Sequence, residues 1–198
     1  EFLHHLHNPK HDITVGLVGK YVELKDAYKS IREALIHGGV ANETKVHIKS
    51  IHSEEITREN AKDILAGVDG ILVAPGFGIR GVEGKFARNV LGYSDAHSRE
   101  MNADTKHPVI DIMAEQKNIV NMGGTMRLGA YPCKVSLDSN LYKAYGETMI
   151  SERHRHRYEF NNDYLEEFKK HGMRVTGVNP DTNLVEVVEV ENHPWYVA

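Results

Sequence analysis

A chain of 198 residues can bury one substantial core, and 40% hydrophobic with 26% charged residues is ordinary globular composition. Lys and Arg number 24 against 28 Asp and Glu, a formal charge of −4 that leaves no overall basic footprint for nucleic acid. No apolar run approaches the roughly 20 residues that span a bilayer, and the single cysteine, Cys133, excludes an internal disulfide and leads us to expect a reducing, cytoplasmic setting.

The opening EFLHHLHNPKHD has no signal-peptide apolar core. Residues 1–12 read as a lead-in, a short linker helix ended by Pro9. His4, His5 and His7 lack any further ligand pattern and read as solvated. Ile13 to Val18 is an apolar run closed by Gly19, short enough for a buried strand. Ala27, Ile31, Ala34 and Leu35 recur at helical spacing, with Gly38-Gly39 as the stop. Val46 and Ile48 alternate with polar residues as a strand would. SEEITRENAKDILAG, 53–67, offers polar caps, Ile56, Ile64 and Leu65 on one face, and Gly67 as its end. A third strand in DGILV then enters the glycine turn APGFGIRG, 74–81. Strand, helix, strand, helix, strand implies a parallel sheet covered by helices.

The second half reads differently. MRLGAYPCKVSL, 126–137, is β-like, and RVTGVNPDTNLVEVVEV, 174–190, is two strands across the turn NPDTN. NNDYLEEFKKHG between them is a short helix with Asn or Asp caps and Gly172 after it. The expected fold is one α/β domain, flavodoxin-like and doubly wound, with a mostly parallel sheet and added antiparallel strands.

Several stretches could carry chemistry. Open α/β sheets bind ligands beyond the carboxyl ends of their strands. In APGFGIRG, Gly76 and Gly78 let backbone N–H groups approach an anion, although a plain tight turn fits equally well. VGLVGKY is not a phosphate-binding P-loop, because the glycine spacing fails and Tyr21 replaces the magnesium-binding hydroxyl, although Lys20 could still meet an anion. NMGGTMRLG joins a Gly-Gly hinge to Thr125 and Arg127. It suits either a segment closing over a ligand, with Arg127 as charge partner, or a turn feeding an edge strand. In SERHRHRYEFN an extended chain places Arg153, Arg155 and Arg157 on one face. Three guanidiniums there need either an anionic carboxylate or phosphate ligand or the protein's own acids, Glu152, Glu159 or helix carboxylates, on a salt-bridged surface strand. Zinc at His154 and His156 is not expected, since no further ligands accompany them. Cys133 lacks elbow glycines and reads as a small buried residue rather than a nucleophile.

The motifs VGLVGKYVELKDAYKSIREAL, HSEE, GILVAPGFGIRGVEGK, FARNVLG, HPVID, GGTMRLGAYPC, ERHRHRYEFNN and ENHPWYVA together resemble the glutamine amidotransferase domain of CTP synthases. The resemblance spans residues 13–198 and implies hydrolysis of L-glutamine by a Cys-His-Glu triad. The ammonia would feed an ATP-dependent synthase domain that aminates UTP to CTP. It implies no cofactor in this domain, ATP and Mg2+ in the associated synthase domain, and no nucleic-acid or membrane partner. Carried over by motif, Gly76 resembles the oxyanion-hole glycine and Glu100 the acid that binds the glutamine amino group. Arg157 resembles the arginine that pairs with the α-carboxylate, with Thr125 and Arg127 in a lid-like segment.

The departures from that family are specific. Its nucleophile elbow, a GxCxGxQ pattern, belongs between EGK and FARN, yet here Lys85 is followed directly by Phe86. A strand, elbow and most of a helix, about 25 residues at ordinary element lengths, are missing. The family's HPE motif, which should follow HPWYVA, is also absent; His193 belongs to the HPW motif and is not the catalytic histidine. No triad member is therefore expected in this chain. Either the segment is truly deleted or Lys85 and Phe86 flank one that this sequence does not show. The latter is expected, because a parallel sheet stripped of a strand leaves unpaired backbone groups. The alternative role is a degenerate domain that binds glutamine, or docks to a synthase domain, without chemistry.

Overall fold

The run ITVGLVG becomes the axis of a parallel sheet because its β-branched and glycine residues suit a strand buried on both faces. The computed structural model describes residues 1–24, 26–74, 80–112 and 127–198, with backbone only at 80–82. Packing divides it into two compact units, Glu1–Ile79 and Arg80–Ala198.

In the first unit, helix α1 (Phe2–His7) precedes β1 (His11–Gly19), α2 (Lys29–Ala41), β2 (Thr44–His52), α3 (Ala61–Ile64) and β3 (Gly70–Val73). The sheet order is β2-β1-β3, both pairings parallel, with Val15 beside Ile48 and Gly70. Leu17, Tyr28 and Ala74 form its buried centre, with Ile31, Ile48 and Leu72 packed around them.

Two helix expectations are corrected here. Helix α2 runs through Gly38-Gly39 and ends at Asn42, whose backbone N–H reaches the carbonyls of Gly38 and Gly39. Gly39 is a contact point, not a stop: a Cβ there would meet the Thr44 carbonyl oxygen at 2.5 Å. Ala27 lies outside α2 and is exposed, and buried Tyr28 takes the inward position against Gly19. The long helix over 53–67 shrinks to the four residues of α3, because Thr57 and Asn60 bond each other's backbones and hold the preceding stretch as turns.

The second unit contains α4 (Arg80–Asn89), β4 (His97–Ser98), β5 (Pro108–Ile112), β6 (Arg127–Val135), α5 (Asn140–Tyr145), β7 (Met149–His156) and β8 (Tyr158–Phe160). A 3-10 turn at Asn162–Tyr164 then leads to α6 (Leu165–Lys170), β9 (Met173–Val178) and β10 (Val185–Val190). Among the described residues, one sheet here has the antiparallel order β10-β9-β6-β7, and the other has the order β4-β5-β8, parallel then antiparallel. The parallel sheet with antiparallel strands matches the expected α/β class. Phe168 anchors the core, stacked on Phe86 at 5.2 Å and edge-on to Phe160 at 5.1 Å. Lys85 and Phe86 fall within the single helix α4, and Phe86 and Ala87 pack inward, as the helix-like reading of FARNVLG expects.

Candidate functional site

The sheet β4-β5-β8 brings together two residues that are far apart in sequence. Ser98 pairs with Ile110, which pairs with Phe160 on β8. Glu100 stands two residues past Ser98. Arg157 stands one residue before β8, which runs opposite to β5. Both therefore lie at the carboxyl end of the β4–β5 pair, with β5 between them, about 10 Å apart in strand spacing.

Backbone bonding fixes each position. Beyond β4, Arg99 N–H donates to the Ile110 carbonyl at 3.0 Å and Glu100 N–H to the buried Ser98 hydroxyl at 3.2 Å. Met101 and Asn102 N–H close a turn onto the Ser98 carbonyl at 3.0 and 2.9 Å. The Arg99 guanidinium meets the buried Asp111 carboxylate at 3.0 Å, so this arginine is held beside its own acid. Just past β8, Asn161 donates from its backbone to the Val109 carbonyl at 2.9 Å and from its amide to that of Pro108 at 3.0 Å. A carboxylate and a guanidinium at one sheet end suit a zwitterion that offers an ammonium to one and a carboxylate to the other.

Next to Arg157 lies a buried network in which Glu159, one of the acids expected to face this strand, meets Arg127, Glu186 and the two histidines, which motif reading did not anticipate. Arg127 opens β6 opposite His156, and it is only 4% exposed. Its guanidinium sits 3.3 Å from Glu159, bonds Glu186 and lies 4.2 Å above the Tyr131 ring. Burial works against its charge, and the two carboxylates outweigh burial and raise its basicity. Its partners are the protein's own acids. His154 and His156 join the same network, with Nδ1 of one 2.7 Å from Nε2 of the other. The signals were present in the sequence: RHRHR alternates, so arginines outward means histidines inward, and Glu186 interrupts the apolar run VEVVEV. Arg153 and Arg155 are indeed exposed on β7.

The other candidates resolve simply. Cys133 is 2% exposed, and Gly177 lies so close that a Cβ there would meet its sulfur at 2.7 Å. Burial, then the Glu186 charge, push its thiol up to about 11, so it is no thiolate at neutral pH. Lys20 pairs with Glu54 at 3.2 Å on the surface. His193 Nδ1 accepts the Trp195 N–H at 3.3 Å. Gly76 and Thr125 lie outside the described residues. Among the described residues no cluster of three or more His, Cys, Asp or Glu could hold a metal ion, and no helix is long and apolar enough to cross a membrane.

The profile of the class-I glutamine amidotransferases matches residues 23–198. A CTP synthase of Flavobacterium psychrophilum is 53% identical, aligned over all of this chain and 42% of its own length. That of Flavobacterium johnsoniae is 52% identical, with the same coverage. The chain thus spans less than half the length of these relatives. The F. psychrophilum alignment runs over 225 positions against the 198 residues here, so the relative carries residues at 27 positions where this chain has none. The structure is similar to the glutaminase domain of a Trypanosoma brucei CTP synthase solved with bound acivicin, with a TM-score of 0.84 and 30% identity, covering 94% of this chain and 84% of that one. By profile, sequence and structure alike, the chain belongs to the class-I glutamine amidotransferase family.

Proposed function

We propose that this chain is the glutaminase part of a CTP synthase, hydrolysing L-glutamine to supply ammonia for the ATP-dependent amination of UTP. The observation that carries this reading is the meeting of Glu100 and Arg157 at the carboxyl end of the β4–β5 pair. There Glu100 would receive the glutamine ammonium and Arg157 its α-carboxylate. A backbone N–H of Gly76 would steady the tetrahedral oxyanion. Thr125 would belong to a lid over the site, and buried Arg127 would root that lid. ATP and Mg2+ would serve the synthase domain to which residues 1–12 lead, and the setting would be cytoplasmic.

The nucleophile is a cysteine that this chain does not contain, because Cys133 is buried and protonated. We place the missing elbow between Lys85 and Phe86, within the 27 positions that a relative carries and this chain does not. The state of β3 supports that placement. Among the described residues β3 pairs only with β1, and Ile71 and Val73 on it are 53% and 42% exposed, as expected where a covering segment is absent.

Calorimetry with glutamine tests the binding half: this chain should bind it, and Glu100→Ala or Arg157→Ala should each weaken binding at least about tenfold, the effect of one lost charge-assisted contact. Intact mass tests the other half. A protein several kDa above 22.3 kDa that releases glutamate supports the glutaminase. A mass of 22.3 kDa with binding but no glutamate release would instead identify a non-catalytic glutamine-binding module.

A further inference from the structure

The two histidines beside Arg157 pose a proton-counting problem. His154 and His156 offer four ring nitrogens in a line. The inner two are 2.7 Å apart and need one hydrogen between them. Of the outer two, His154 Nε2 stands 3.5 Å from Glu186 Oε2, and His156 Nδ1 stands 3.3 Å from Glu159 Oε1. Both carboxylates are buried, so a nitrogen lone pair facing either one would be repelled with little screening. Satisfying all three contacts takes three hydrogens, and two neutral imidazoles bring two.

Charge balance asks for the same extra proton. The groups facing the pair are Glu186 on β10, Glu159 on β8, and Arg127 with Tyr131 on β6. Arg127 supplies one positive charge against two carboxylates. One further proton on the histidines makes the buried cluster neutral, and without it a net negative charge stays inside the fold. His154 is the more buried ring and stands farther from its carboxylate, which marks it as the neutral member, with its hydrogen on Nε2 toward Glu186 and its Nδ1 lone pair toward His156. His156 then carries hydrogens on both nitrogens. Its Nδ1 is buried and makes no hydrogen bond, so its contact with Glu159 is an ion pair.

We infer that His154 and His156 together hold one proton between Glu186 and Glu159, and that this shared proton positions Arg157. The bend carrying Arg157 is bracketed by His156 and Glu159, the two ends of one ion pair, and Arg127 ties Glu159 to Glu186. Loss of the proton turns the His156–Glu159 contact repulsive and loosens the bend from both sides. These are positioning residues. The consequence for binding rests on the reading of Arg157 as the α-carboxylate partner, while the proton count does not.

The experiment has two arms on the full chain. Long-range 1H–15N NMR of labelled histidine reads tautomer and charge directly at about neutral pH. The expected spectrum shows one Nε2–H neutral ring and one cationic ring, coupled, which revert to two neutral rings as the pH rises. Two neutral rings across the range from about pH 6 to about pH 8 would overturn the inference. Calorimetry then follows glutamine affinity over the same range. Weakening of about tenfold per pH unit once the proton is lost supports positioning. A His156→Gln variant should bind with a flat pH profile, which also controls for titration of the ligand. If that variant does not fold, Glu186→Gln, which removes one carboxylate from the pair, should shift the onset of weakening to lower pH. A cationic pair with pH-independent affinity would overturn the positioning role. Absence of glutamine binding at every pH would overturn that role together with the glutamine reading, and the spectrum would still decide the shared proton.

Discussion

The two units solve burial in opposite ways. The first is a parallel sheet whose central strand is buried from Val15 to Gly19, whereas β3, paired only with β1 among the described residues, leaves Ile71 and Val73 largely exposed. The second wraps a larger apolar core around Phe168 and also buries charge, with Arg127, Glu159 and Glu186 all inside. The first unit is held by apolar contact around one strand. The second also needs a matched set of ions, each intolerable without the others.

The difference can be tested by unfolding. The largest loss is expected for Phe168→Ala, which empties a site 1% exposed and flanked by two phenylalanines; it should cost about 4 kcal/mol in urea denaturation. Leu17→Ala, at a fully buried position in β1, should cost about 3 kcal/mol. If the units unfold separately, these two substitutions lower different transitions when each is followed by amide exchange. A single transition lowered equally by both would merge the two units energetically.

Glu83 sharpens the contrast from within α4. Its carboxyl is buried with Oε2 unbonded, and burial pushes it up to about 7. The folded form therefore keeps a proton that the unfolded chain gives up near the ordinary glutamate value. Stability falls as pH rises from about 4.5 to about 7, by roughly 2 kcal/mol after allowing for partial exposure. Glu83→Gln cannot ionise, so in thermal melts it should abolish that slope between about pH 5 and about pH 8. The smallest effect is at the α5 cap. There the Ser139 hydroxyl accepts the Tyr142 N–H at 2.9 Å, and Ser139→Ala should cost about 1 kcal/mol. Glu189 limits that loss, since its carboxylate already accepts the N–H groups of Asn140 and Leu141.

The sequence was most readable where one local pattern decides the structure. The run at Ile13–Val18 had only a strand as a sensible outcome, and NPDTN between two apolar runs had only a hairpin. Gly38-Gly39 misled because glycine ends helices and also permits close approach. Only the neighbouring carbonyl of Thr44 tells the two apart, and it belongs to another element. The stretch 53–67 misled because the reciprocal bonds between Thr57 and Asn60 cap the helix at its start and keep Ser53 to Ile56 out of it. At the site, motif resemblance pointed to Glu100 and Arg157, and the register of β4, β5 and β8 brings them to one end. The ion network stayed hidden because its members come from four strands, and only tertiary pairing joins Arg127 to Glu159 and Glu186.

Gly177, finally, has a practical meaning for chemical labelling. By lying against the sulfur of Cys133 it leaves no room for a reagent, and the raised thiol value leaves almost no nucleophile to react. The fold thus supplies its own blank. An alkylating reagent should therefore leave Cys133 unmodified in the native protein, and denaturant should release it as the one reactive thiol of this sequence.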